Sequence, residues 1–265
     1  MTQYKAPIFE SKMPVRDHLY KSEAIVIKRI DLGEADKILT IFTPHFGKLR
    51  VVAKGVRKVT SRLAGHVELF TRNQMLLAKA RNLDIITQSE TIDGYRPLHE
   101  DLTSIAYASY ASELLDALMP DELESYPVYK LLADTLSLIS EEEHRDRTLR
   151  WFELQFLGYL GYAPELQHCV QCGGEIAAVV NGWSPSQGGV VCASCRRVGI
   201  GRDLSVNALK VMRLMQRSPY STISRVRIDP DLQTELTGVM QGYITYILER
   251  ELRSAHFVRS SEAAI

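Results

Sequence analysis

The sequence lacks the features that mark membrane, secreted and nucleotide-driven proteins. Its 265 residues contain no apolar run of the roughly 18 residues that a membrane helix needs. Residues 1–20 carry scattered charges and no apolar segment, which argues against a secretory signal. No G-x-x-x-x-G-K-[ST] loop and no strand-borne G-x-G-x-x-G occurs, so we expect neither ATP-driven nor dinucleotide chemistry. These absences predict a cytoplasmic protein that works without a nucleotide.

Negative charge is nearly absent from residues 37–81. Glu68 is the only carboxylate there, whereas ten Lys and Arg residues give the segment a net charge of +9. The chain as a whole is formally neutral, so this positive charge is segregated, as it is on a polyanion-binding face. We predict that the ten cations contact nucleic acid: Lys37, Lys48, Arg50, Lys54, Arg57, Lys58, Arg62, Arg72, Lys79 and Arg81.

The same segment offers little support for a catalytic function. A two-metal nuclease needs carboxylates to hold Mg²⁺ at the scissile phosphate, and they are missing. Ser61, His66 and Glu68 supply the residue types of a hydrolytic triad, but these types are common and nothing constrains their arrangement. We therefore expect a binding protein rather than an enzyme.

The pattern of the first hundred residues predicts β-strands. β-branched and aromatic residues dominate five short runs separated by turn-like residues: 23–31, 36–43, 48–54, 74–80 and 83–92. In the third run cations alternate with apolar residues, which predicts that Lys48 and Arg50 lie on one exposed face. Phe42, Phe46 and Phe70 occupy positions of high apolar density, so we expect them in the core rather than on a base-stacking platform. Five short strands with a basic connection predict a small barrel.

After residue 92 the apolar period changes from two to about 3.6, the period of an α-helix. Apolar stripes predict helices over 102–118 and 128–139, a third helix ending near Leu160, and later helices over 205–215 and from Pro230 onward. Ser140 and Glu143 have the spacing of a capping box that would open the third helix. Residues 101–168 carry thirteen carboxylates against four cations, so we do not expect a second nucleic-acid face there.

All four cysteines fall in one window, as Cys169-Val-Gln-Cys172 and Cys192-Ala-Ser-Cys195. Two C-x-x-C pairs with nineteen residues between them match the spacing of a four-cysteine zinc site. We expect one structural Zn²⁺ per chain, because four thiolates leave no open position for a catalytic water. Gly173 after the first pair allows the backbone to turn tightly beneath the metal.

Two other interpretations of the cysteines remain open. Disulfides are disfavoured in a cytosolic protein, and a redox pair of the thioredoxin type would lie beside a βαβ pattern that the sequence lacks. Between the two pairs, Trp183, Val190 and Val191 with neighbouring glycines predict a short hairpin that completes a zinc ribbon.

Four stretches of the sequence resemble the bacterial recombination-mediator family RecO: LGEADKILTIFT at 32–43, GKLRVVAKGVR at 47–57, GYLGY at 158–162 and YxxYILERELRSxxF at 243–257. The four-cysteine ribbon resembles that family too, and the resemblance extends from about Ser22 to Phe257. It implies an α+β multidomain protein, in which an N-terminal OB-fold β-barrel precedes an α-helical domain with an inserted four-cysteine zinc ribbon. The corresponding segments are an N-terminal extension 1–21, the barrel 22–97, the helical domain 98–164 and 201–265, and the ribbon 165–200.

The resemblance also implies a role in recombinational DNA repair. Expected activities are binding of single- and double-stranded DNA, annealing of complementary strands, and help in loading RecA on coated strands. Expected partners are RecR and the acidic tail of single-strand-binding protein, which would pair with a cation such as Arg213, Arg217, Arg250 or Arg253. Two alternatives remain open: a zinc-ribbon adaptor that holds protein partners, and an RNA-binding OB-fold factor.

Overall fold

The computed structural model describes residues 18–141, 144–196 and 202–262, and it opens with a five-stranded barrel. The strands are β1 (Leu19–Leu32), β2 (Asp36–Thr43), β3 (Gly47–Ala53), β4 (Arg72–Ala78) and β5 (Asp84–Asp93). Their order, β1-β2-β3-β5-β4, closes because β4 pairs with β1. All neighbours are antiparallel except β3 and β5, which are parallel. This five-stranded barrel confirms the predicted OB-fold.

Three helices follow the barrel: α1 (Arg96–Glu100), α2 (Leu102–Leu118) and α3 (Tyr126–Glu141). The Asp101 carboxylate begins α2 by accepting hydrogen bonds from the backbone N–H groups of Thr103 and Ser104. Ser140 lies in the last turn of α3 and donates to the Ser137 carbonyl. It therefore does not cap the next helix, so the capping-box prediction is wrong. Its second member, Glu143, lies outside the described residues.

The remaining elements of the described chain are five α-helices and a small sheet. They are α4 (Arg145–Tyr159), β6 (Asn181–Ser184), β7 (Gly189–Val191), β8 (Arg202–Leu204), α5 (Val206–Arg217), α6 (Tyr220–Ile223), α7 (Pro230–Leu248) and α8 (Arg253–Glu262). Ser205 and Asp229 accept N-terminal hydrogen bonds of α5 and α7, so these helices begin where the sequence predicts. None of the described helices is long and apolar enough to cross a membrane.

The contacts divide the described chain into two compact units. One contains residues 18–141 and 254–262, and the other contains 144–196 and 202–253. The barrel therefore shares a unit with α1, α2, α3 and the C-terminal α8. Within that unit, the Glu113 carboxylate of α2 accepts hydrogen bonds from the backbone N–H and the hydroxyl of Ser254. Residues 1–17 of the predicted extension and 197–200 of the predicted ribbon lie outside the described residues.

Helices α2 and α3 cover one part of the barrel's outer surface. Ile25 and Phe42 are neighbours across β1 and β2, and both side chains are fully buried. The Phe42 ring lies 6.3 Å from the ring of Tyr129 in α3. At the start of β3, Gly47 approaches the connection between the two helices so closely that a Cβ would lie 2.3 Å from the Leu123 carbonyl oxygen. The described residues of this unit leave the rest of the outer face of β1, β2 and β3 uncovered.

Candidate nucleic-acid interface and metal site

Six of the ten predicted cations are exposed and form no ion pair with any residue in the described ranges: Arg50, Lys54, Lys58, Arg62, Lys79 and Arg81. Arg50 lies on the outer face of β3, because its neighbours Leu49 and Val51 belong to the barrel core. Lys54, Lys58 and Arg62 follow in the connection from β3 to β4, and the last two cations lie in the connection from β4 to β5. The structure thus presents positive charge from β3 and from two loops of the barrel.

The connection from β3 to β4 is held in place at its base. The Gly55 N–H donates to the Asp36 carboxylate over 2.7 Å, and the Arg57 N–H donates to the Ala35 carbonyl over 2.9 Å. The Val56 side chain is buried in the barrel core. These contacts tie the loop to the turn between β1 and β2, so its cations are displayed from a fixed position rather than from a free chain.

Lys37 and Arg57 share one carboxylate at the end of the β1–β2 hairpin. The Lys37 Nζ lies 2.5 Å from Asp31 Oδ1, and the Arg57 Nη1 lies 3.5 Å from Asp31 Oδ2. The hydrogen bond from Lys37 and the charges of Arg57 and Arg29 hold the pKa of Asp31 below its ordinary value. Lys37 and Arg57 thus share the Asp31 carboxylate, and Arg29 is paired with the Glu68 carboxylate, so these cations are partly neutralised, unlike the six that have no ion pair in the described chain.

Lys48 is not exposed, and that part of the expectation for β3 is wrong. Its side chain is 9% exposed, and Nζ lies 3.2 Å from a carboxylate oxygen of Asp116 and 3.2 Å from one of Asp121. Nζ also donates to the Asp116 carbonyl over 2.7 Å. The alternation along β3 does place Lys48 on the outer face, but α2 and the connection after it pack over this end of the strand.

Arg72 also lies at the helix-covered part of the barrel. It is half-buried, and its Nε is buried. Burial raises the pKa of Tyr95 and of Tyr129, and the nearby charge of Arg72 opposes part of this increase. Tyr129 belongs to α3 and donates to the Glu23 carboxylate over 3.1 Å. Arg72 therefore faces the helices of its own unit rather than the open surface.

Lys28 is a barrel cation that lies outside the 37–81 segment, so it was not among the ten predicted cations. It is exposed and pairs across the strands with Thr40, which pairs in turn with Arg50. Its Nζ lies 3.1 Å from the Asp116 carboxylate. The register of β1 shifts after Val26, and this bulge decides which face Lys28 occupies. No residue pattern in the sequence signals the bulge, so the position of Lys28 had to come from the structure.

No Phe, Tyr or Trp ring is exposed among residues 18–93, which form the barrel. Tyr20, Phe42 and Phe70 are buried, and Phe46 is half-buried with its ring 4.9 Å from that of Tyr20. The phenylalanines therefore belong to the core, as the apolar density of the strands predicted. Among the described residues, the open face offers cations and aliphatic side chains, but no Phe, Tyr or Trp ring on which a base can stack.

The four cysteines converge at one point. The sulfur atoms of Cys169, Cys172, Cys192 and Cys195 all lie within 4.8 Å of one another, and the Cys172 and Cys192 sulfurs are 3.9 Å apart. Sulfurs at about 2.3 Å from a tetrahedral Zn²⁺ stand roughly 3.8 Å from each other, whereas a disulfide requires about 2.05 Å. All four cysteines are free thiols in the structure. The donor set fits a closed tetrahedral metal site.

Backbone N–H groups prepare Cys169 to be a thiolate. Burial alone would raise the pKa of this thiol, but N–H groups of Cys192, Cys172 and Gln171 point at its sulfur and lower the pKa to about 6. The Cys192 N–H lies 3.2 Å from the Cys169 sulfur. Hydrogen bonds with the Cys192 and Cys172 sulfurs raise the pKa of Cys195 to about 12. A metal ion that binds here must therefore displace protons shared among the other thiols.

The ribbon around the cysteines matches the predicted hairpin and adds to it. Trp183 in β6 pairs with Val190 in β7, and β8 pairs with the other edge of β6 as a third strand that the sequence did not predict. Gly173 has a φ of 74°, the left-handed conformation expected for the turn after Cys172.

The Arg213 side chain binds the ribbon of its own chain rather than a partner. Its guanidinium donates to the Leu166 carbonyl over 2.9 and 2.7 Å, just before the first cysteine pair. The other arginines predicted to meet an acidic tail, Arg217, Arg250 and Arg253, are exposed. The structure thus uses one of the four candidates internally and leaves three on the surface.

Comparisons with known proteins find relatives along most of the chain. A sequence model described as "Recombination protein O N terminal" matches residues 17–95, and one described as "Recombination protein O C terminal" matches residues 99–256. DNA repair protein RecO of Roseiflexus sp. (strain RS-1) is 42% identical over 245 residues, which cover 92% of this chain and 86% of that relative. DNA repair protein RecO of Symbiobacterium thermophilum is 36% identical over 250 residues, covering 93% and 99%. The protein of that name from Dehalococcoides mccartyi (strain CBDB1) is 35% identical over 249 residues, covering 94% and 98%.

Proposed function

The chain belongs to the RecO family of DNA repair proteins, and on this premise we propose that it is a recombination mediator that binds DNA through the open face of its OB barrel. Family membership places the chain in recombinational repair. The proposal adds that the barrel binds single- and double-stranded DNA, that it anneals complementary strands, and that it does so without catalysing a covalent reaction.

The observation that carries the proposal is the set of exposed cations without ion-pair partners in the described chain. Arg50 lies on β3, and Lys54, Lys58 and Arg62 follow in the connection from β3 to β4, whose base is held to the turn between β1 and β2. Cations of this kind contact phosphates, which positions a nucleic acid without reading its sequence. Each neutralised phosphate releases a counterion, so binding through this face weakens steeply with salt.

Annealing follows from phosphate binding without further chemistry. A face that holds phosphates accepts two strands in succession and lowers their mutual repulsion, so that complementary bases meet. No nucleotide and no catalytic residue is required. This supports a mediator that acts by binding alone.

We propose protein partners for the remaining surface. The exposed Arg217, Arg250 and Arg253 suit the acidic, apolar-ended tail of single-strand-binding protein, and RecR is the second partner. Engagement of the tail would bring the barrel to coated strands, where RecA is to be loaded.

We assign Zn²⁺ to the four-cysteine cluster. Cys169, Cys172, Cys192 and Cys195 would hold it, with sulfur separations that suit a tetrahedral ion. The ion would cross-link the two C-x-x-C turns to each other, as structural zinc does. Four sulfur donors leave no position for a substrate, so the site supports the fold of the ribbon and not a reaction.

The test is annealing of complementary oligonucleotides without ATP, naked and coated with single-strand-binding protein that carries or lacks its tail. We expect faster annealing of naked strands, and on coated strands an acceleration that requires the tail. Failure to accelerate the naked strands overturns the mediator proposal, whereas indifference to the tail overturns only the partner assignment. Competition between DNA and RNA oligonucleotides distinguishes DNA repair from a role as an RNA-binding factor.

A further inference from the structure

Beyond the helix-covered part, the outer face of β1, β2 and β3 carries exposed aliphatic side chains in register. Ile30 pairs with Ile38 across β1 and β2, and Ile38 pairs with Val52 across β2 and β3. Leu32 follows Ile30 on the same face of β1. Ile30 is 49% exposed and Leu32 is 41% exposed, while Ile38 and Val52 are half-exposed. These four residues are called the aliphatic strip below.

Cations border the aliphatic strip on two sides. Toward α2, the neighbouring row consists of Lys28, Thr40 and Arg50, paired in that order across the same strands. On the other side, Lys54 continues β3 two residues beyond the strip and leads into the basic loop. The Asp36 carboxylate at that end already accepts the Gly55 N–H over 2.7 Å. The face therefore combines an apolar centre with positively charged borders.

We propose that the bases of a bound single strand lie on the aliphatic strip while its phosphates contact the bordering cations. The inference rests on the proposed DNA-binding function and adds what this face does with the bases. A single strand presents apolar base faces alongside a chain of phosphates, which matches an apolar centre with cationic borders. A duplex keeps its base faces inside and would use the cations alone.

Because no Phe, Tyr or Trp ring is exposed among the barrel residues 18–93, the bases would contact aliphatic side chains instead. Aromatic platforms stack on bases and hold them firmly, whereas isoleucine, leucine and valine only remove apolar area from water. Contact with the aliphatic strip is therefore independent of base identity and readily reversed. Both properties suit a protein whose bound strand must pair with a second strand.

The test uses the double variant Ile30→Thr/Val52→Thr in the full-length protein. Threonine keeps the β-branched shape, so the strands are retained while the apolar surface is reduced. The matched control is Ile92→Thr, because Ile92 is 42% exposed on β5 and lies off the strip. A second comparison is Arg50→Ala/Lys58→Ala, which removes two cations and leaves the strip intact. Affinity for a thymidine oligonucleotide is measured by fluorescence anisotropy across a salt series, with an abasic strand of equal length as the second ligand.

For the thymidine strand, we expect Ile30→Thr/Val52→Thr to weaken binding about tenfold at every salt concentration, with an unchanged slope of log affinity against log salt. The Ile92→Thr control should bind as the unaltered protein does. On the abasic strand, the strip variant and the unaltered protein should bind equally, because that strand has no bases for the strip to hold. The cation variant should show a shallower salt slope on both strands.

Three outcomes would overturn the inference or its premise. Normal binding by the strip variant, with a shallower slope in the cation variant, refutes base contact at the strip and leaves the DNA-binding proposal standing. An equal loss by the strip variant on thymidine and abasic strands shows that its effect does not pass through the bases, which also refutes the inference. If the strip and cation variants both bind as the unaltered protein does, the proposed DNA-binding face is itself refuted.

Discussion

The Lys48 ammonium on β3 lies 3.2 Å from the Asp116 carboxylate on α2, and only 9% of the Lys48 side chain is exposed. Two residues further along the same face of β3, Arg50 is exposed and forms no ion pair with a described residue. The edge of the helix layer falls between these two cations. One of them joins the helices to the barrel, and the other is available to a ligand.

We predict opposite consequences for removing these two cations. Lys48→Met should destabilise the fold by about 1–2 kcal/mol, because Asp116 loses a buried hydrogen-bonded partner and, among the described residues, keeps its ion pair with Lys28. Arg50→Met should change the free energy of unfolding by less than about 0.5 kcal/mol but weaken DNA binding. Urea unfolding and anisotropy titration of both variants check this. Equal stability losses in the two variants would contradict the assignment of Lys48 to the helix contact.

The Asp116 carboxylate should make the stability of the fold depend on acid. Burial would raise its pKa, but the hydrogen bonds and charges of Lys28 and Lys48 outweigh burial and hold the pKa below its ordinary value of 3.8. A carboxyl group whose pKa is lowered by folding stabilises the fold above its unfolded pKa. That contribution is lost as the pH falls through the folded pKa.

Asp116→Asn should therefore be less stable than the unaltered protein at neutral pH, and the difference should shrink below about pH 4. Urea unfolding of both proteins at pH 7, 5 and 3 measures it. A difference that stays constant across this range would show that the charge of Asp116 contributes nothing to the contact.

Substitution of two glycines separates the cost of a left-handed backbone conformation from the cost of a steric clash. Gly33 has a φ of 58° and open space where a Cβ would lie, whereas Gly47 has a φ of 63° and a Cβ position 2.3 Å from the Leu123 carbonyl oxygen. Gly33→Ala should cost about 1 kcal/mol from the left-handed conformation alone. Gly47→Ala should cost at least about 2 kcal/mol more, because the connection after α2 has to move. Chemical denaturation of both variants tests whether the helices press on β3 as described.

Metal analysis should find one zinc per chain in protein purified under reducing conditions. Cys172→Ser or Cys192→Ser should lose the metal and destabilise the ribbon, since structural zinc contributes directly to folding. Ser194→Ala, an exposed position within the second cysteine pair, is the matched control and should retain zinc. Unaltered protein without zinc and with fewer than four titratable thiols would instead indicate disulfides.

The elements that follow local rules could be predicted from the sequence. Alternating apolar residues predicted the five barrel strands, and cysteine spacing predicted the thiol cluster. Ser205 and Pro230 predicted where two helices begin. Tertiary contacts could not be predicted in this way. The register shift after Val26 and the helix cover over Lys48 depend on residues far apart in the chain. Ser140 sits at a cap-like spacing, yet the preceding helix continues through it.

The same limit applies to the candidate site. Charge density identified the right region, because positive residues crowd into 37–81 whatever their orientation. It could not separate exposed Arg50 from half-buried Arg72, since each is a single cation in a predicted strand and the covering helices do not show in the local sequence. The aliphatic strip could not be predicted for a similar reason. Isoleucine and valine in a strand indicate core positions unless it is known which elements cover the strand.

The central claim is that exposed cations of the open barrel face bind the phosphates of DNA. The most direct measurement is the salt dependence of affinity for an unstructured oligonucleotide, comparing the unaltered protein with Arg50→Ala/Lys54→Ala/Lys58→Ala/Arg62→Ala. The matched control, Arg96→Ala/Lys130→Ala/Arg217→Ala/Arg225→Ala, removes four exposed cations elsewhere in the chain. We predict that the barrel variant binds more weakly and that the slope of log affinity against log salt becomes shallower by about 0.7 for each phosphate that the variant no longer neutralises, while the control keeps the original slope. An unchanged slope in the barrel variant, or an equal change in the control, would contradict binding at this face.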